Sequence, residues 1–187
     1  MRFKKLEKVH QGRFINRYDI TYVMPSGKEK VYEIISRDPD MHEQADLWRR
    51  PFDAVALIIT DESGEHLLLN REYRMGVAQY VYNFPAGLVE EGEDLIAAAR
   101  RELFEETGLT LKEVTDVLPP SYSAPAFGNE KNAHVVGVAE GELRGSDREV
   151  EDIKAAWFSK AELRELLRTE PFAARTQVFC YEWSRED

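Results

Sequence analysis

The alternation of apolar and polar positions divides the chain into strands and helices. Tyr18, Ile20 and Tyr22 alternate within residues 13–23 and predict a strand. Pro25-Ser26-Gly27-Lys28 is a turn signal, and residues 30–37 form the partner strand. This hairpin is too small to be stable alone, so it must pack on the rest of the chain or on another subunit. Residues 38–51 form a polar connection ending at Pro51. The apolar run 53–60 reads as a buried strand, and Asp61-Glu62-Ser63-Gly64 turns the chain into a second one from His66 to Tyr73. Tyr80 to Phe84 is another strand, leading to Pro85-Ala86-Gly87. Further strands are expected at 111–118, 134–139 and 153–158. Irregular loops are expected at 119–132 and 140–151, and helices at 160–167 and about 172–183. Strands with three helices between and after them predict an α+β (mixed α/β) fold. Residues 1–50 form an N-terminal β region and 51–187 the main domain.

The stretch from Gly87 to Leu109 stands apart. A helix starts near Glu93 or Asp94, runs through Ala97-Ala98-Ala99 and stops at Gly108, a residue suited to a left-handed C-cap. At about 100° per residue, Leu95, Ile96, Ala99 and Leu103 share one arc of the helix. Glu102 and Glu106 fall at the edge of that arc or inside it, and Glu105 sits beside them. A solvated acidic face should lie opposite the apolar stripe, and this one abuts it. Carboxylates converging on a partly buried patch repel one another and are costly to bury unpaired. Arg101 balances one. A hard divalent cation would balance more, because it prefers carboxylate oxygens. Periodicity alone leaves two readings open, a metal site or a salt-bridged helix end.

Composition narrows the picture. The chain is 43% hydrophobic and 32% charged, which suits a soluble globular protein. Its net charge is −10, and seven acids against two arginines in residues 87–109 supply about half of the excess. That balance argues against non-specific nucleic-acid binding. The single cysteine, Cys180, excludes an internal disulfide, and its apolar neighbours predict core packing. No signal region opens the chain and no run approaches a membrane span, so a cytoplasmic location without membrane contact is the default expectation. His42-Glu43 lacks a second histidine at the zinc-helix spacing, since Asp46 stands there.

Gly87, Glu93 and Arg101-Glu102-Leu103-Phe104-Glu105-Glu106-Thr107-Gly108-Leu109, taken together, resemble the Nudix box in every specified position. The resemblance implies a Nudix-type α/β/α sandwich with an N-terminal antiparallel hairpin or small sheet. It also implies cleavage of nucleoside diphosphates linked to another group, with Mg²⁺ or Mn²⁺. By that resemblance Glu102, Glu105 and Glu106 bind metal, with Glu105 also assigned to catalysis, and the Ala86 carbonyl completes the shell. Gly87, Glu93 and Arg101 brace the loop and helix.

The segment from Arg71 to Glu93 is similar to the ADP-ribose pyrophosphatase branch, in which the N-terminal strands pack against a second subunit. A homodimer is therefore implied. Phe14 and Tyr32 match aromatics that sandwich the adenine, and Arg37 and Arg74 match arginines that hold the diphosphate or base edge. The plainer readings stay open: core strand residues for the aromatics, surface charges for the arginines. The general base is assigned by resemblance to Glu151, with Glu149 second, on a loop otherwise readable as solvated surface. Glu130 is assigned to the terminal sugar, although Pro125-Ala126 departs from the proline-glycine pair common in the branch. The implied reaction turns ADP-ribose, or another ADP-sugar, into AMP and ribose 5-phosphate. Alternatives are another nucleoside diphosphate sugar (UDP-glucose, GDP-mannose) or a non-catalytic nucleotide-sugar sensor.

Overall fold

The computed structural model of the chain describes residues 1–146 and 152–185. Two compact units form. The first comprises residues 1–53 with 120–132, and the second 54–119 with 133–187.

The first unit is built on a three-stranded antiparallel sheet of β1 (Arg2–Gln11), β2 (Asn16–Val23) and β3 (Glu29–Ser36), in that order. The expected hairpin is β2–β3. Its turn closes with the Met24 amide donating to the Lys28 carbonyl at 2.8 Å, and Gly27 takes the left-handed φ of +80° that the turn requires. Tyr18 and Ile20 enter the core with Leu6, Ile34 and Met41, and Tyr22 packs against it. The strand β1 is a correction to the sequence reading, which left residues 2–11 unassigned. Leu6 is its one buried residue, and register shifts at Phe3/Lys5 and Lys8/His10 break the two-residue period. Within the same unit the Ile35 amide donates to the Phe127 carbonyl at 2.7 Å, and Ile35 bridges Gly128. Residues 120–132 are thus tied to β3.

The second unit carries a seven-stranded sheet. Its strands are β4 (Ala54–Thr60), β5 (His66–Arg74), β6 (Gln79–Asn83), β7 (Ala86–Leu88), β8 (Thr110–Tyr122), β9 (Lys131–Glu140) and β10 (Ile153–Ser159). The order is β10-β5-β4-β9-β8, with β6 paired to β5 and β7 to β4. The helices are α1 (Leu95–Thr107), α2 (Lys160–Thr169) and α3 (Ala174–Trp183).

Alternation along β4 and β5 sorts the two faces. Val55, Leu57, Ile59 and Leu68 pack with Ala98, Ala99 and Leu103 of α1. Ile58, Leu67 and Leu69 pack with Leu163 of α2 and Cys180 of α3. A central sheet with helices on both faces is the layered arrangement that the box implied. Each fully buried Leu or Ile contributes about 1.5–3 kcal/mol, so both helical layers are held chiefly by apolar burial. Cys180 is buried, and burial pushes its thiol up to about 12, in keeping with a packing role. Boundaries differ from expectation at β2, which begins at Asn16, at β8, which continues through Pro119 and Pro120 to Tyr122, and at β9, which begins at Lys131.

Candidate active site

Helix α1 presents the carboxylates, and its ends fix where it lies. The Asp94 side chain caps the N-terminus, accepting from the amides of Ile96 and Ala97 at 2.9 Å each. Gly108 ends it in the left-handed conformation at φ +79°. The Arg144 side chain lies where a Cβ on Gly108 would project, 2.2 Å from its Cγ, and its guanidinium stands 4.4 Å over the Phe104 ring.

The apolar stripe of α1 takes two of its glutamates inward. Glu102 is 1% exposed and Glu106 4%, whereas Glu105 is more open. Burial, followed by the charge of Glu102, pushes Glu106 up to about 8. One Glu106 oxygen, Oε2, accepts from Asn70 Nδ2 at 2.8 Å and from the Ala86 amide at 3.1 Å. Glu72 adds further negative potential.

Gly87 lies in β7 opposite Val55 of β4. A Cβ on Gly87 would stand 1.9 Å from the Glu102 carboxyl carbon, so only glycine lets that carboxylate approach the strand. Arg101 braces the loop. Its guanidinium forks onto Glu93 at 2.9 and 2.8 Å and donates to the Leu88 carbonyl at 3.0 Å. This contact holds the Glu93 carboxyl down at about 2. Nη1 of the same arginine reaches Glu102 at 2.7 Å and Glu105 at 3.4 Å.

Among the described residues, no three acidic, histidine or cysteine side chains already stand as a ready-made cage for an ion. The donor chemistry nevertheless fits a hard divalent cation. Glu102 and Glu105 share one arginine, Glu106 is held well above the ordinary carboxylate range, and Asn70 Oδ1 is a buried oxygen with no hydrogen-bond partner among the described residues.

Asn70 and Glu72 are functional candidates that the sequence reading passed over. Their signal was the period of two on β5: Leu68 faces α1, so Asn70, Glu72 and Arg74 continue the same face. Arg74, anticipated from sequence, therefore shares the face that carries Asn70, and it pairs with Glu72 at 2.6 Å.

The other anticipated residues lie in the first unit. Phe14 sits between β1 and β2 and is 67% exposed, with the Arg13 guanidinium 4.9 Å over its ring, which removes the reading of a core residue. Tyr32 on β3 is part-exposed and donates to the Ala126 carbonyl at 2.9 Å. Arg37 Nε meets Glu130 Oε2 at 2.9 Å, and the other Glu130 oxygen accepts from Ser123 Oγ at 3.0 Å. Arg37 and Glu130 line a cleft of about 240 Å³ with Ile15, Ser123 and Phe127. Glu149 and Glu151 lie outside the described residues.

Comparison with known proteins gives the family. Residues 50–177 match the NUDIX domain. The chain is 32% identical over 144 residues to an ADP-sugar pyrophosphatase of Mus musculus, covering 75% of this chain and 61% of that protein. It is 26% identical over 162 residues to an ADP-ribose pyrophosphatase of Bacillus subtilis, covering 87% and 78% respectively. A solved structure of an ADP compounds hydrolase superposes with a TM-score of 0.71 at 25% identity, over 98% of this chain and 92% of that one. Because the match over residues 50–177 spans more than half of the sequence, the chain belongs to the NUDIX family.

Proposed function

We propose that this chain hydrolyses the diphosphate bond of ADP-ribose and related ADP-sugars, releasing AMP and ribose 5-phosphate. The similarity to proteins named for ADP-ribose and ADP-sugar pyrophosphatase activity supports the substrate class. The observation that carries the chemistry is the burial of Glu102 against Gly87 and of Glu106 against Asn70 and the Ala86 amide, with Glu106 pushed up to about 8.

In this reading Glu102, Glu105 and Glu106, with the Ala86 carbonyl, hold Mg²⁺ or Mn²⁺. A bound divalent cation supplies charge neutralisation for the diphosphate and a more acidic water. Glu151, with Glu149 as second candidate, takes the proton of the attacking water. Gly87, Glu93 and Arg101 keep the loop and helix in place. Arg74 offers a planar fork to phosphate oxygens. Phe14 and Tyr32 offer ring faces for a base, and Arg37 with Glu130 a polar wall for the remainder of the substrate.

The N-terminal unit is read as the dimerising part and the protein as a cytoplasmic homodimer. Among the described residues no helix is long and apolar enough to cross a membrane.

The test is product release from ADP-ribose, ADP-glucose, UDP-glucose, GDP-mannose and NADH, each with Mg²⁺ and with EDTA. AMP released from ADP-ribose in Mg²⁺ alone is the expected result, and Glu106→Gln should abolish it. Turnover within a few-fold of wild type in that variant would sink the metal assignment. Preference for a UDP- or GDP-sugar would keep the chemistry and replace the substrate.

A further inference from the structure

The second unit contains a cleft that the reaction does not use. It measures about 340 Å³, lies along α2 and α3, and is lined by Arg164, Leu167, Arg168, Gln177, Val178, Tyr181, Ser184 and Arg185. No acid is among these lining residues, although the chain carries a net charge of −10.

One wall is formed by α2. Lys160, Arg164 and Arg168 are spaced four apart on α2, so three cations share one face. Two of them have visible work. Lys160 stands 5.6 Å over the Trp183 ring, and Arg164 Nη1 donates to the Ser184 carbonyl at 2.7 Å, closing the end of α3. Arg168 is different: it is exposed and has no hydrogen-bond or ion-pair partner among the described residues. Arg185 enters from beyond α3, pairs with Glu182 at 3.0 Å and stands 6.0 Å from the Tyr181 ring centre. Tyr181 and Val178 expose 57% and 69% of their surfaces beside it.

We propose that this cleft binds a nucleoside monophosphate. Guanidinium forks suit the oxygens of a phosphate, and a cluster of them in an acidic protein makes a local positive well for small anions. The exposed Tyr181 ring gives a base a face to stack on. The volume is that of a pocket for one small molecule and too small for a folded partner. The site stands apart from the α1 carboxylates: its residues come from α2, α3 and the residues just after α3, none of which contributes to the candidate active site.

The experiment is an amide ¹H–¹⁵N NMR titration of the full-length Glu106→Gln protein with AMP, ribose 5-phosphate and adenosine in turn. Saturable shifts of the Gln177, Val178, Tyr181 and Ser184 amides with AMP are expected. Arg168→Glu added to that protein should weaken this titration by about tenfold or more, the scale of one charged hydrogen bond. Tyr181→Ala should weaken AMP more than ribose 5-phosphate. If the four amides do not move, if adenosine shifts them as well as AMP, or if Arg168→Glu titrates like its parent, the proposal fails. Arg168→Gln serves if the glutamate variant does not fold. Because the readout is local to α2 and α3, it is independent of whether ADP-ribose is the substrate.

Discussion

Gly87 shows how far one missing methyl group reaches. A Cβ there would lie 1.9 Å from the Glu102 carboxyl carbon, and that side chain is buried. Gly87→Ala should therefore displace the carboxylate by about an ångström and cut Mg²⁺-dependent turnover by roughly a hundredfold. Mn²⁺ binding followed by electron paramagnetic resonance should weaken in parallel. A variant that turned over normally would remove Glu102 from the metal shell.

Glu106 gives a second prediction. Its folded value, about 8, lies above the ordinary carboxyl value of 4.5, so the folded protein holds a proton that the unfolded chain has released. In EDTA, stability should fall as the pH rises from about 4.5 to 8, by on the order of a few kcal/mol. Glu106→Gln should flatten that slope, and urea melts at pH 5 and pH 8 measure it. Glu93 runs the opposite way: held at about 2 by Arg101, it favours the folded state above its unfolded value and loses that advantage as the pH falls. Much of this was legible in the chain, because Glu102 and Glu106 abut the apolar arc of their own helix. Asn70 was harder to find. Its importance depends on α1 lying against β5, which no local pattern states.

The elements were most readable where packing enforces a period. Helix α1 has its cap, apolar stripe and terminal glycine in register with one another, and its observed ends agree with the sequence reading. Removing the cap with Asp94→Ala breaks two hydrogen bonds of 2.9 Å and should lower stability by about 1 kcal/mol. Activity should be nearly retained, because the far end of the helix carries the glutamates. A thermal melt and an ADP-ribose assay on the same sample separate the two effects. The strand β1 was missed for the converse reason. Its two register shifts and single buried residue leave no sustained alternation to detect. The short β7 was hidden in the Pro85-Ala86-Gly87 turn, where backbone pairing with β4 decides the structure and side-chain pattern does not.

At the scale of the whole molecule, the layered α+β architecture and the family followed from the chain. The return of residues 120–132 to the first unit did not, because hydrogen bonds from Ile35 to Phe127 and from Arg37 to Glu130 join positions about ninety apart. The exposed Phe14, Ile15, Val31 and Ile35 give the first unit apolar surface that suits a second copy. Sedimentation should show a dimer, and charged replacements at Val31 and Ile35 should shift it toward monomer. A wild-type monomer would undercut the reading of Phe14 and Tyr32 as substrate contacts.

That return of the chain also orders events during synthesis. The first unit begins with residue 1 yet lacks its strand partner and the Glu130 contact until residue 132 has been made, roughly 80 residues after residue 53. At ribosomal speeds of about 5–20 residues per second, the N-terminal sheet waits some 4–16 seconds without these contacts. In a nascent chain stalled near residue 60 the N-terminal sheet should therefore be cut readily by protease, and in the 187-residue chain the same sheet should resist.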